Sequence, residues 1–424
     1  RLEIAHNCPE EMVNFLRDQC AMHQDNVYLV NGPVNLSRLQ ALHSMVERSD
    51  LKFKPFTQGR PNGLTSEVEI FGLLKQKDVL LHHPYQSFTP VIDLIKQAAS
   101  DSSVLAIKQT LYRTGAVSPI VDALVAAAHG GKEVTVVIEL RARFDEEANV
   151  ALASKLQQAG AHVVYGIVGY KTHAKMLLIL RRENNKLRRY VHLGTGNYHR
   201  STSRIYTDYG LLTSDKQIGE DVNNLFIQLT SLGKIPKMHK LLHAPFNLHQ
   251  GLLDKIDREI AHAEAGKNAR IIVKVNALVE PEMINAFYRA SIAGVKIDLI
   301  VRGICTLKPG VQGVSENIQV RGIIGRFLEH TRVFYFENDG QVEIWAGSAD
   351  LMKRNLLRRV ETCFPIESKR LQKRIIADLN LYLADNTQAW ILSADGRYHR
   401  AARNEGDEMI SAQNTLLEEL AKIN

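Results

Sequence analysis

The sequence predicts an α/β protein: two duplicated domains with mixed sheets flanked by helices, preceded by a partial N-terminal segment. Three observations predict it. Short apolar runs alternate with stretches of helical periodicity. The same order of runs returns after roughly 160 residues. Each copy also brings one histidine and one cation to the entrance of a strand.

Residues 1–59 read as helical pieces around an Asn31-Gly32-Pro33 turn, with too little apolar content for a closed core. They are expected to be the remnant of a preceding domain, in keeping with a first residue that is Arg1 rather than Met. The turn-formers Gln58-Gly59-Arg60-Pro61-Asn62-Gly63 open a first α/β domain, 60–243. Within it 104–111 is a β-like run, and Ser118-Pro119 supplies a cap and first helical residue. Ile120, Val121, Leu124, Val125 and Ala128 then recur at helical spacing until Gly130-Gly131 stops them. Residues 134–140 predict a second buried strand, and Asp145 caps a helix with Glu146 and Glu147 in its first turn. Further strands are expected at 162–165, 176–180 and 190–193, with a Glu183-Asn184-Asn185 hairpin turn between the last two. A helix through Val222, Leu225, Phe226, Leu229 and Leu232 and the stretch 236–245 lead to the second domain, 244–424.

There the order repeats. Residues 271–275 form a strand, Pro281 opens a helix carrying Met283, Ile284 and Phe287, Gly294 closes it, and 295–301 is the next strand. Aligning Val134 with Val295 sets Arg141 opposite Arg302. Two closing helices are expected, through Leu371, Ile375, Leu379 and Leu383, then through Leu416, Leu417, Leu420 and Ile423.

Composition bounds the function. Of 424 residues, 45% are hydrophobic and 23% charged, which excludes collagen-like, low-complexity and mainly disordered chains. No apolar run approaches the ~18–20 residues of a membrane span. Cys8, Cys20, Cys305 and Cys363 show no metal or redox spacing and read as buried thiols of a reducing compartment. A net charge of +7 allows a polyanionic partner but equally a solvated basic surface.

The chemistry lies in the repeat. His173 is followed at two residues by Lys175 and enters the strand 176–180; His330 is followed by Arg332 and enters 333–336. A small-residue turn follows in each copy: Gly194-Thr195-Gly196-Asn197, and Gly347-Ser348-Ala349-Asp350. Such turns let backbone N–H groups approach a phosphate. A neutral imidazole attacks phosphorus, a neighbouring cation holds a non-bridging oxygen, and a second imidazole moves a proton. Any one of 16 histidines is ordinarily structural, but two in matched contexts point to a paired site. His82-His83 reads as part of a turn rather than a metal pair, because neighbours on a strand face opposite ways.

The paired layout resembles the phospholipase D superfamily, and the particular strings resemble the bacterial polyphosphate kinase family. They are Leu111-Tyr112-Arg113-Thr114-Gly115, Glu139-Leu140-Arg141-Ala142-Arg143-Phe144-Asp145-Glu146 and Tyr170-Lys171-Thr172-His173-Ala174-Lys175. Gly194-Thr195-Gly196-Asn197-Tyr198, Tyr206-Thr207-Asp208-Tyr209-Gly210 and Leu328-Glu329-His330-Thr331-Arg332 continue in the family's order, from about Asn31 to the end. The H-x-K-x4-D pattern of phospholipase D has lost its Asp to Leu180 in the first copy and reads Arg332 and Glu337 in the second. That argues against the alternative of a phosphodiesterase or nuclease. A non-catalytic polyanion-binding module leaves the matched histidines unexplained, and no aromatic-basic stacking run is present.

The resemblance implies a phospholipase D-like fold and reversible transfer of the ATP γ-phosphoryl group to inorganic polyphosphate. His173 matches the histidine that is phosphorylated, and His330 the second catalytic histidine, which also contacts nucleotide. Tyr206 and Arg302 match ATP-contacting positions, while Lys175 and Arg332 are the expected phosphate-holding cations. Arg113 and Arg143 match an Mg²⁺-phosphate site; an arginine has only donors, so both are read as clamps on phosphate oxygens that hold Mg²⁺. Lys171, Arg181, Arg182, Arg188, Arg189, Arg200 and Arg204 are candidates for a polyanion path, although the four flanking the hairpin turn read first as a solvated face. The partners implied are ATP or ADP and polyphosphate, with no nucleic acid. A homo-oligomer of the full-length protein and a cytoplasmic location, with room for peripheral association at the inner membrane, are also implied.

Overall fold

The computed structural model describes residues 1–61, 63–64, 67–112, 118–139, 146–166, 169–231, 237–403 and 405–422. The chain divides into two compact units, Arg1–Phe56 and Thr57–Asn424. Expected elements at Leu140, Asp145, Leu232, Pro236 and Ile423 lie outside the described residues.

In the first unit, Leu2–Ala5 and Val27–Val30 pair as parallel strands, and Glu10–Gln19 is a helix. Ile4 is its one buried residue among those described, consistent with the apolar poverty of this stretch. The strands correct the purely helical reading. Four-residue runs such as Val27-Tyr28-Leu29-Val30 have β propensity but too little length for periodicity to declare itself.

In the second unit each copy builds its own mixed sheet on one plan. In the first, Val104–Leu111 lies parallel to Glu133–Ile138, which is parallel to His162–Val164. On its other side come Lys175–Glu183, Lys186–Gly194, Tyr206–Thr213 and Val79–His83, each antiparallel to the last. In the second, Arg270–Val275 lies parallel to Lys296–Val301, and that to Ile318–Ile323. Arg332–Phe336, Glu343–Gly347, Arg359–Pro365 and Leu242–Ala244 follow antiparallel in the same succession. The duplication read from the sequence is thus a duplication of topology.

Helices cover the sheets as the periodicity predicts. Pro119–His129 and Pro281–Ile292 each begin on the foreseen proline. Leu124, Ile107, Ile179 and Tyr190 belong to one core, Phe287, Leu252, Val273 and Phe334 to the other. Each such side chain contributes about 1.5–3 kcal/mol by leaving water. Asn184 and Asn185, at φ 47° and 59°, turn the expected hairpin. Between the closing helices Lys369–Ala384 and Ala412–Leu420, the strands Ala389–Leu392 and Tyr398–Arg400 extend the second sheet, a feature the sequence reading missed. His82 and His83 end a strand and the turn follows them; their opposed faces still exclude a shared metal.

Two short parallel additions join the copies. Lys171–Thr172 of the first pairs with Arg359 and Val360 of the second. Leu328–Glu329 of the second pairs with Tyr206 and Thr207 of the first.

Candidate active site

The site grows out of those two exchanges. Thr172 lies opposite Val360, and the N–H groups of His173 and Ala174 both donate to the Val360 carbonyl at 2.9 Å. The next side chains therefore meet: His173 Nδ1 lies 2.8 Å from Glu361 Oε2. In the reciprocal exchange Thr207 lies opposite Glu329, and His330 Nδ1 sits 2.8 and 3.0 Å from the two oxygens of Asp208. Each histidine takes its carboxylate from the other copy.

The carboxylates are themselves fixed. Glu361 accepts from Ser348 Oγ at 2.5 Å and Asn355 Nδ2 at 2.6 Å, and Asp208 accepts from Thr195 Oγ1 at 2.7 Å. Both hydroxyls come from the glycine turns. The sequence reading gave those turns to phosphate approach; the structure gives them a steric task. A Cβ on Gly196 would lie 2.1 Å from Asp208 Oδ2, and one on Gly347 2.7 Å from the Thr362 carbonyl oxygen.

The two cations are buried against the histidines. Lys175, 1% exposed, donates to the His173 carbonyl and sits 5.7 Å from the Tyr112 ring, which meets the His173 ring edge-on. Arg332 forks onto Asp350 at 3.0 and 3.3 Å and turns Nη1 to the His330 carbonyl at 2.7 Å and to His330 Nε2 at 3.0 Å. The imidazoles are accordingly unequal. Nε2 of His330 accepts from Arg332, whereas no described residue bonds to Nε2 of His173.

Burial sets the protonation states. It drives His173 down to about 4, helped by Lys175 and Arg332 and only partly opposed by Glu361. His330 is lowered by burial and then by Arg332. Burial works against both carboxylates too, yet the facing histidines hold Asp208 and Glu361 below the ordinary range. Lys175 falls to about 7 through burial. Two ionised carboxylates facing neutral imidazoles fix the Nδ1–H tautomer and leave a lone pair on each Nε2.

Tyr206 and Arg302 come together at His330. The Tyr206 ring lies 5.3 Å from it, and Arg302 donates to the Glu329 carbonyl at 2.8 Å. Arg113, Arg143 and Arg141 lie outside the described residues. Arg181 binds Asp101 and Glu183 at 2.7 Å each, and Arg188 reaches Glu183 at 3.2 Å, so both belong to the hairpin's own ion pairs. Sequence reasoning missed Glu361 altogether and gave Asp208 no role. One signal was available: hydroxyl and carboxylate stand thirteen residues apart in both copies.

For a divalent cation the described residues around the histidines offer no uncommitted carboxylate: Asp208, Glu361 and Asp350 each serve a histidine or arginine. The described cluster with ligand spacing, His249, Glu280 and Glu282, lies on other helices, and Glu280 caps one of them through the Met283 N–H at 2.8 Å. Among the described residues around the histidines no carboxylate is thus left for a metal, and phosphate oxygens are its other natural ligands.

Comparison with known proteins decides the family. The model for polyphosphate kinase C-terminal domain 1 matches residues 69–235, and that for C-terminal domain 2 matches 241–413. The polyphosphate kinase of Pseudomonas aeruginosa is 56% identical over 421 residues, 99% of this chain. This chain belongs to the polyphosphate kinase family. A polyphosphate kinase from Xylella fastidiosa is 57% identical over 421 residues. The crystal structure of polyphosphate kinase from Porphyromonas gingivalis superposes with a TM-score of 0.85 at 32% identity, covering 99% of this chain and 64% of that one. A phosphatidylserine synthase from Haemophilus influenzae, at TM-score 0.52 and 10% identity over 81% of this chain and 92% of its own, shares the fold alone. The chain spans 61% of the length of the Pseudomonas polyphosphate kinase and 60% of the Xylella one. No helix among the described residues is long and apolar enough to cross a membrane.

Proposed function

We propose that this chain carries the phosphoryl-transfer centre of a polyphosphate kinase, with His173 as the nucleophile, and that 60–243 and 244–424 are its two catalytic domains. The observation that carries the reading is the inequality of the imidazoles. His173 is neutral, oriented through Nδ1 by Glu361, and has an Nε2 lone pair that no described residue occupies.

In the forward direction Nε2 attacks the γ-phosphorus of ATP. The N–P bond forms as the bond to the β–γ bridging oxygen breaks, and ADP leaves with that electron pair. A terminal oxygen of a polyphosphate chain then attacks the phosphohistidine, and the N–P electrons return to Nε2. Glu361 supports the positive charge that the ring acquires. Phosphoanhydride and phosphohistidine are both high-energy bonds, so the transfer runs either way.

His330, oriented by Asp208, takes up and releases the proton at the leaving or attacking phosphate oxygen through Nε2, once substrate phosphate draws Arg332 Nη1 away from that nitrogen. Tyr206 and Arg302 flank it for the nucleotide, and Lys175 and Arg332 supply positive charge, since phosphoryl transfer needs mainly positioning and neutralisation. Arg113 and Arg143 are proposed as clamps on the phosphates. Mg²⁺, when bound, would neutralise phosphate charge, and Arg113 and Arg143 would hold the phosphates that carry it.

The test is incubation with γ-labelled ATP and Mg²⁺, followed by a search for acid-labile, alkali-stable label. Wild type should acquire it on His173. A His173→Ala variant that still labels would overturn the mechanism.

A further inference from the structure

A second concentration of cations lies outside the two-histidine centre. Arg60, Lys77, Arg370, Arg374 and Lys422 line a cavity of about 390 Å³ together with His82. The carboxylates there do not balance them. Asp378 is already engaged by Arg374 Nε at 2.7 Å and the Tyr209 hydroxyl at 2.6 Å, with His82 Nδ1 3.1 Å away, and Arg60 has Asp93 at 3.7 Å, which leaves Glu419 for the other cations. Among the described residues, Lys77, Arg370 and Lys422 form no ion pair; Arg370 reaches only the Asp78 carbonyl, at 3.2 Å.

Three nitrogens of this lining are buried without a hydrogen-bond partner among the described residues, Arg374 Nη2 and both ring nitrogens of His82, whose Nδ1 lies 3.1 Å from Asp378 Oδ2 without hydrogen-bond geometry; His82 is 3% exposed. Buried polar atoms are otherwise almost always satisfied, and such orphans mark an absent water or ion. The helix Lys369–Ala384 adds a separate argument. Its first two turns carry Lys369, Arg370, Lys373 and Arg374, and its first turn holds no acidic residue. The N-terminal pole of a helix favours anions, so stability alone would place carboxylates there. A bound anion reverses that cost.

We propose that this cavity is a second phosphate site, taking orthophosphate or the terminal unit of a condensed phosphate. Arg374 Nη2 and the rim cations Arg370, Lys77 and Lys422 bind the ionised oxygens. With Asp378 Oδ2 at 3.1 Å on the Nδ1 side, neutral His82 keeps its proton there and presents Nε2 as an acceptor. It thereby selects an oxyanion that still carries a P–OH proton, which phosphate has near neutrality and sulfate does not. The site stands independently of the reaction proposed for His173.

The test is titration calorimetry of the full 424-residue chain with orthophosphate, tripolyphosphate and sulfate. A class of binding is expected that weakens at least tenfold in Arg370→Glu/Lys422→Glu, both exposed positions, and in the milder Arg370→Gln to a lesser degree. Sulfate should bind this class at least tenfold more weakly than orthophosphate. Binding of orthophosphate alone assigns the site to the free ion; binding confined to tripolyphosphate assigns it to a chain end. Unchanged stoichiometry and affinity in a double variant that melts like wild type would overturn the site. Equal affinity for sulfate would overturn the role of His82.

Discussion

The imidazole of His173 and the carboxylate of Glu361 meet at 2.8 Å although 188 residues of chain separate them. Glu361 has three donors and no exposure, so it acts as a fixed acceptor that dictates which nitrogen of His173 keeps the proton.

Replacing that acceptor should disarm the nucleophile without removing it. Glu361→Gln is expected to slow formation of the labelled histidine by roughly 100- to 10,000-fold, the range for lost acid-base orientation. Asp208→Asn should impair the step served by His330 more than labelling itself. Single-turnover quench-flow separates the two; equal defects would refute the assignment.

Lys175 gives an alkaline limb. Burial brings it to about 7, so its charge fades across neutrality. Affinity for a triphosphate should therefore fall from about pH 6 to about pH 8.5, and Lys175→Arg should flatten the dependence, since a guanidinium stays protonated. A wild-type profile that is already flat would contradict this role.

Acid should unfold the chain early. Buried His173 and His192 are lowered to about 4 and about 3, and His82, His83 and His330 are lowered as well, in each case by burial first. Each folded value lies below the unfolded 6.5, so the unfolded chain binds more protons. The stability is complete above 6.5 and drains as pH falls toward 4. A Tm that holds constant from pH 7 to pH 4 would show that these groups are solvated.

Gly196 and Gly131 make a controlled pair. Gly196→Ala places a methyl 2.1 Å from Asp208 Oδ2 and should cost about 1–3 kcal/mol while displacing the support of His330. Gly131→Ala meets no atom within 4 Å at φ +77° and should cost about 1 kcal/mol with turnover unchanged. Thermal melts and activity assays on the same preparations distinguish them.

What could be read in advance follows the range of the forces involved. Strands such as Val104–Leu111 and helices such as Pro119–His129 announce themselves through local periodicity, and the histidines through repetition. For Glu361 only the repeated thirteen-residue spacing to a hydroxyl was legible, because its partner is set by two residues, Lys171 and Thr172, adding to a distant strand edge. A two-residue ladder leaves no pattern. The strand Ala389–Leu392 was hidden for a related reason: its pairing with Ile318–Ile323, not its own four residues, makes it a strand.

The exchange of Lys171–Thr172 and Leu328–Glu329 between the copies also has a meaning in time. Pairings that close 188 and 122 residues of chain are among the slowest contacts a polypeptide makes. Neither histidine has its carboxylate until both sheets exist and have docked. A nascent chain, or a fragment cut between the copies, therefore holds its histidine and still lacks the carboxylate that orients it. The fold orients the paired imidazoles only where both copies are present.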